Sequence, residues 1–403
     1  MVKRKPVFIL LVLFLFCVFP FFFNDFVQAE GIDEEPNQVP IHEQLVDKQL
    51  SNLGLDEIKA YWDAIQTNYG GFLPESQKGS FMDFVSGEKS FSLTEWLVGL
   101  VKFLFHELLV HGKLLGTIII LTVFAILLQN MQNAFEHKAV SKVAYAITYM
   151  VLVILALNSF HVAIEYTEHA IQTMTGFLIA LMPLLLALIA SVGGFASVAF
   201  FHPVIIFLVN TGGILIQHFV LPLLFLSAVL AIVSTLTEHY KVTRLSQLLR
   251  NIAVGTLGVF FTVFLGVISV QGASTAVADG ITIRTAKFVT GNFIPIIGRM
   301  FTDATDTVLS ASVLLKNTVG IAGVGILLLI CIFPAIKVLA LALIYNIAAA
   351  VLQPLGGGPM IESLSVISKS VMFIFAALAI VSLMFFLAIT IIIAAGNISL
   401  MIR

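Results

Sequence analysis

The chain has 403 residues, of which 59% are hydrophobic and 11% are charged, and its formal net charge at pH 7 is -2. Soluble domains carry about 25% charged residues, so this much apolar surface requires several segments in a lipid bilayer. The composition predicts an all-α, polytopic helical membrane protein. Residues 30–107 hold 14 Asp or Glu and five Lys, which argues against nucleic acid as a partner of this chain.

The first 29 residues have the pattern of a secretory signal peptide. Lys3, Arg4 and Lys5 form a basic start, residues 7–23 are apolar, and cleavage is predicted after Ala29. An uncleaved N-terminal anchor is the alternative. Either form places the next region, residues 30–112, outside the cytoplasm.

Residues 30–112 are predicted to form an exported helical collar. Leu55, Ile58, Trp62, Ile65 and Tyr69 recur at the spacing of an amphipathic helix. Farther on, the sequence SLTE fits a capping box that opens a second helix, predicted to lie along the outer membrane interface.

The sequence HELLVH, from His106 to His111, resembles a zinc-protease motif. Its histidines are five residues apart, whereas two ligands on one helix face need a spacing of four. The chain shows no other spacing typical of a catalytic, phosphate-binding or metal site. The sequence therefore predicts neither an enzyme nor a cofactor.

The rest of the chain is predicted to hold two sets of membrane helices, at 113–271 and 318–403, separated by a polar extracytoplasmic segment at 272–317. A turn at Pro222 is predicted to divide residues 200–236 into a hairpin. The run from 319 to 352 is one tilted helix or two short ones, and a total of seven or eight spans is predicted. The predicted spans are 114–132, 143–163, 172–192, 200–220, 222–236, 252–271, 319–352 and 370–395.

Loop charge predicts the sidedness of these spans. Residues 136–142 and 239–250 are basic and are predicted to be cytoplasmic, whereas the acidic loop 165–169 is predicted to lie outside. The sequences around Pro203 and Pro334 are weakly similar, which suggests an internal repeat with Pro-broken helices, as in transporters. Chance similarity between two apolar segments is the alternative.

The polar segment is predicted to form two short amphipathic helices around a break at residues 293–297. Its charged side chains are candidates for a docking or vestibule surface on the outer face, and a solvated connector is the alternative. These residues are Arg284, Lys287, Arg299, Asp303 and Asp306.

A second group of polar and glycine residues lies within or beside the last apolar stretches. Ionisable groups at membrane depth are candidates for a transport pathway, although Lys337 could also extend to the interface. The amides could instead join helices, and PLGGGP is a surface turn or a re-entrant break. The candidates are Lys337, Asn346, Gln353, Gly356, Gly357 and Gly358.

Long stretches of the chain are similar to one known family. They include YGGFLPESQKGSFMDF, FHELLVHGKLLGT, FFHPVIIFLVNTGGILIQ, ADGITIRTAKFVTGNFIPIIGRMFTDATDTV and LQPLGGGP. On these stretches the chain resembles the stage III sporulation protein AE family of endospore-forming bacteria.

The resemblance implies a membrane component of the channel that links mother cell and forespore, needed for forespore development and late sigma-G activity. It implies the mother-cell membrane around the forespore as the location. The implied partners are membrane lipid, the other stage III A proteins and, indirectly, the forespore's stage II protein Q; self-association is left open. The family supplies no catalytic residues. The alternative function is a secondary-transporter-like permease for a small solute.

Overall fold

The structure is a computed structural model that describes residues 56–74, 93–134, 138–236, 241–293, 297–355 and 358–401. These residues form nine α-helices and no strand. In chain order the helices are α1 (Asp56–Tyr69), α2 (Leu93–Val110), α3 (Gly112–Ala134), α4 (Lys138–Ser191), α5 (Phe195–Leu215), α6 (Leu221–Leu236), α7 (Thr243–Phe293), α8 (Ile297–Leu352) and α9 (Pro359–Met401).

The all-α, polytopic class is confirmed. Within the described ranges, six helical stretches are long and apolar enough to cross a membrane. The number is below seven because two pairs of predicted spans merge. The spans at 143–163 and 172–192 form one helix, α4, and residues 165–169 continue that helix where a loop was expected.

The second merger occurs at Pro222, where a hairpin was expected. The chain instead passes from α5 to α6 through a π-helical turn, Ile216–Val220, in which the Leu221 N–H donates to the Ile216 carbonyl. A proline ring clashes with the carbonyl four residues before it and removes one hydrogen bond. A wider π turn accommodates that ring and keeps the chain helical.

The other prolines also leave their helices continuous. Pro203 lies inside α5, and Pro334 lies inside α8, which is therefore one helix over the whole run from 319 to 352. A complete break inside a packed bundle would leave several backbone groups without partners, whereas a proline removes only one bond. The helices of the suggested repeat are thus not broken at these two prolines.

The polar segment at 272–317 differs from two short helices. Helix α7 runs through its first part to Phe293, and α8 begins at Ile297. The charged candidates consequently lie on the ends of long helices. The expected break at residues 293–297 falls mostly on 294–296, outside the described residues.

The amphipathic helix of the collar is confirmed as α1, in which Ile58, Trp62 and Ile65 are buried. It packs on the long helices through two aromatic contacts. The Tyr61 ring meets the Phe177 ring of α4 edge-on at 5.3 Å, and the Tyr69 ring stacks on that of Phe333 in α8 at 4.1 Å.

The long helices run antiparallel to their neighbours in the chain, and two contacts and one turn fix their relative heights along the bundle. Near one end, the basic end with Lys241 and Arg244, the Tyr149 hydroxyl lies 2.8 Å from that of Thr235. About half-way, Gln172 Nε2 donates to Gln217 Oε1 at 3.3 Å. The opposite, distal end holds the turn Val192–Gly194 between α4 and α5.

Large side chains fill the space between these helices at every height. They remove apolar area from water or lipid and pack the interior closely. Fully buried examples are Phe160, Phe177, Phe201, Phe264, Phe333, Tyr345 and Phe385.

Candidate functional site

Lys337 of α8 lies level with Tyr166, near the middle of α4, and two tyrosine rings lie close to its ammonium group. Its Nζ is 5.6 Å from the ring centroid of Tyr69 and 5.2 Å from that of Tyr166. Both distances are within the range of a cation–π interaction. Helix α1 supplies the first ring and α4 the second, so Lys337 joins the collar to the long helices.

Glu107 of α2 lies near this cluster. It is buried, and His111 Nε2 is 3.6 Å from its carboxylate oxygen. Burial, together with the nearby Glu107 and Tyr166, raises the pKa of Tyr69 above its usual range. Tyr69 therefore stays a neutral phenol at physiological pH.

The two histidines of HELLVH have different partners. His111 faces Glu107, whereas the His106 ring lies 5.2 Å from the ring of Phe72. The part of the chain that the structure describes holds no group of three or more metal-ligating side chains. The motif thus contributes to the packing of α2 at half height.

The distal end is fastened by Asp279 of α7, which is 1% exposed. Its carboxylate accepts hydrogen bonds from the Ala196 N–H at 2.8 Å, the Ser197 N–H at 3.1 Å and the Ser197 hydroxyl at 2.5 Å. The free N–H groups at the start of α5 are thereby satisfied, and the negative charge faces the positive end of the helix dipole. Asp279 therefore caps α5 from a different helix.

The sequence indicates that α5 begins without a capping side chain of its own, a signal that was not used in predicting the site. Helix α5 begins after Gly194, which has no side chain to serve as an N-cap, and Gly193 has a φ of 89°. A helix start of this kind in an apolar protein needs an acceptor from elsewhere. Asp279 lies 82 residues from Ser197 in the chain, so the sequence showed that an acceptor was needed and not which residue supplies it.

Lys316 of α8 is a second buried charge that sequence interpretation did not single out. It is 0% exposed, and its Nζ donates to the Ile393 carbonyl of α9 at 3.3 Å. The contact ties α8 to α9 near the distal end. Asp279 and Lys316 therefore fasten neighbouring helices at similar heights.

The basic end contains an open pocket of roughly 650 Å³ between the end of α8 and the start of α9. Asn346, Gln353 and Gly358 line it, together with Glu362 and Ser365. A side chain at Gly358 would meet the Gln129 amide of α3 at 3.4 Å. The pocket thus brings three of the predicted pathway residues together.

The remaining predicted residues do not join that pocket. Lys337 is nine residues before Asn346 on α8, about 13 Å along the axis. Gly356 and Gly357 lie outside the described residues. In the docking group, Arg284 is exposed on α7. The other four side chains lie outside the part of the chain that the structure describes: Lys287, Arg299, Asp303 and Asp306.

The Asp279 cap predicts a large effect of one isosteric substitution. In Asp279→Asn the charge is lost and an amide N–H faces the N–H groups of α5, so we expect the free energy of unfolding to fall by about 2 kcal/mol. Thermal unfolding of the purified protein in detergent, followed by circular dichroism, measures this change. Asp63→Asn, at an exposed position on α1, is the control, and equal Tm values for the two variants would contradict the cap.

Comparison with known proteins identifies the family. Residues 76–396 match the family model described as Stage III sporulation protein AE. The chain is 66% identical over 380 residues to Stage III sporulation protein AE of Bacillus subtilis (strain 168), which covers 94% of this chain and 95% of that relative. No solved structure matches the chain. The family model and the long, nearly complete match to this relative show that the chain belongs to the stage III sporulation protein AE family.

Proposed function

We propose that this sporulation protein is a membrane component of the channel that joins mother cell and forespore, and that it supports forespore development and late sigma-G activity. Its location would be the mother-cell membrane around the forespore. Its partners would be the other stage III A proteins and, indirectly, the forespore's stage II protein Q. Family membership supports the role in sporulation, and membership of the channel is the more specific part of this proposal.

The packed interior of the long helices is the observation that carries this proposal. Phe177, Phe333 and Phe385 are fully buried at middle heights, so a solute would have to pass between protein chains, outside the helical core. The pocket at the basic end is separated from Lys337 by more than two helical turns of α8. This arrangement favours a wall or platform of a larger assembly over a self-contained permease.

The surface of the helices suggests how copies of this chain could build such a wall. Helix α5 exposes Phe200, Phe207 and Ile214, which recur every seven residues and form a ridge. Helix α7 exposes a strip of small residues in which a Cβ added at Gly255, Gly258 or Gly266 would meet nothing within 4 Å. Small residues allow the backbones of two helices to approach closely.

The ridge and the strip lie at matching heights. In the antiparallel neighbours α5 and α7, a Cβ at Gly212 would meet Phe260, and one at Gly272 would meet Phe201. Counting along both helices from these contacts places Phe207 level with Gly266. A rotation axis parallel to the helices relates copies of the chain without changing the height of any residue. The ridge of one copy then meets the strip of the next, and such contacts between two different surfaces form rings.

The charged end of α7 supports a contact with partner proteins. Reversing the charges of Arg284 and Lys287 tests this function in cells. Arg284→Glu with Lys287→Glu should block late forespore gene expression while the protein level stays normal, because partner surfaces that match a positive charge would be repelled. A sigma-G-dependent reporter and the spore yield measure the effect. The charge-preserving pair Arg284→Lys with Lys287→Arg is the control, and a normal spore yield in the reversed variant would refute this contact.

Disulfide crosslinking tests the packing of copies. With Cys17 and Cys331 replaced by alanine, Phe207→Cys combined with Gly266→Cys should give a ladder of oxidised oligomers in sporulating membranes. Gly255→Cys replaces Gly266→Cys in the control, which shifts one thiol by 11 residues or about 16 Å. Equal crosslinking in both pairs, or none in the first, would contradict the ridge-and-strip contact.

A further inference from the structure

The long helices exceed the thickness of a bilayer by a wide margin. Their candidate membrane-spanning stretches run for 49 residues in α4, 40 in α7 and 44 in α8, which at about 1.5 Å per residue gives lengths of roughly 60–73 Å. The hydrocarbon core of a bilayer is about 30 Å thick. Fitting a 60 Å helix into it would require a tilt of about 60°, beyond the range of about 0–40° found for membrane helices.

Helix α3 marks the height at which the bilayer surrounds the protein. Its apolar stretch has 19 residues, or about 28 Å, and only 17% of that stretch is buried within the protein. Ile120, Phe124 and Leu127 are exposed on it. A helix of bilayer length with so little protein contact needs lipid around most of its surface.

Contacts at the two ends of α3 relate it to the long helices. Helix α3 follows α2 directly after His111. His111 pairs with Glu107, which lies close to Tyr69, and Tyr69 in turn contacts Lys337. Near its other end, Gln129 adjoins Gly358. Helix α8 runs 15 residues, or about 22 Å, from Lys337 to its end at Leu352. The 3-10 turn Gln353–Leu355 adds about 6 Å toward Gly358, and the total agrees with the length of α3.

Helix α1 shows that the other side of Lys337 faces water. It exposes Asp56, Glu57, Lys59 and Asp63, yet Tyr61 packs on Phe177, which lies 11 residues beyond Tyr166 toward the distal end of α4. Four charged side chains on a helix in the hydrocarbon core would be prohibitively costly. The surroundings of α4 at this height are therefore aqueous on the side of α1.

From these contacts we infer that the bilayer surrounds only the basic half of the long helices, between the heights of Gly358 and Lys337. The distal half, from Lys337 to the turn Val192–Gly194, stands in the aqueous space on the far side of the membrane. Its exposed apolar residues, among them Phe207, Ile179 and Ile321, then face protein in the assembled state. The lipid contact of this chain is a belt one bilayer thick on a bundle twice that length.

Spin labels on the purified protein test this position without any partner or cell. In a background with both native cysteines replaced by alanine, nitroxides are placed at Ile154→Cys and Ile179→Cys, two exposed sites 25 residues apart on α4. Vesicles of phosphatidylethanolamine and phosphatidylglycerol carry the protein. Collision rates are measured with oxygen, which concentrates in hydrocarbon, and with a water-soluble nickel chelate.

The label at Ile154 should collide several times more often with oxygen than with nickel, as should a label at Phe124→Cys on α3. Labels at Ile179 and at Ile321→Cys on α8 should lack this preference, and Leu314→Cys serves as a further distal site. An oxygen preference at the distal sites, or its absence at Ile154, would overturn the inference. Because the measurement does not involve spores or partners, a result that overturns this inference does not bear on the proposed function, which the reporter and crosslinking experiments test separately.

Discussion

The mismatch between helix length and bilayer thickness is the constraint on which the rest of this structure depends. Buried backbone N–H and C=O groups need hydrogen-bond partners, so the helices continue through prolines and through the acidic residues 165–169. Continuity makes the helices about twice as long as a hydrocarbon core is thick. A bundle of this kind presents one half to lipid and the other half to water or to other proteins.

Two polar clusters mark the limits of the distal half. At its lower limit, Lys337 lies between the rings of Tyr69 and Tyr166 and ties the collar helix α1 to α4 and α8. At its upper limit, Asp279 caps α5 and holds the turn Val192–Gly194 against α7. Asp279 is buried among hydrogen-bond donors and Lys337 is half-buried between two aromatic rings, and such polar clusters fix the register of neighbouring helices more firmly than apolar packing would.

The sequence predicted the helical class from its apolar composition and the buried face of α1 from local apolar periodicity. It did not predict the length of α4, because charged residues within an apolar run can mark the membrane boundary without showing whether the helix ends there or continues into water. The π turn before Pro222 was missed for a similar reason, since a proline can be absorbed by a local change of helix type.

Among the candidate site residues, Asn346, Gln353 and Gly358 do line one pocket, because short spacing across the α8–α9 connection keeps them close. The partnership of Asp279 with Ser197 spans 82 residues, and no local pattern reports a contact at that separation. The same applies to Lys337 and Tyr69, whose proximity depends on how α1 docks on the long helices.

Electron cryomicroscopy of the protein in lipid nanodiscs shows whether the bundle is twice as long as the membrane that carries it. We expect a disc about 30 Å thick centred on α3, beside Ile120 and Phe124, with the distal ends of α4, α5 and α7 protruding on one side. A disc centred near Gln172, with helix protruding equally on both sides, or strongly tilted helices wholly inside the disc, would contradict it.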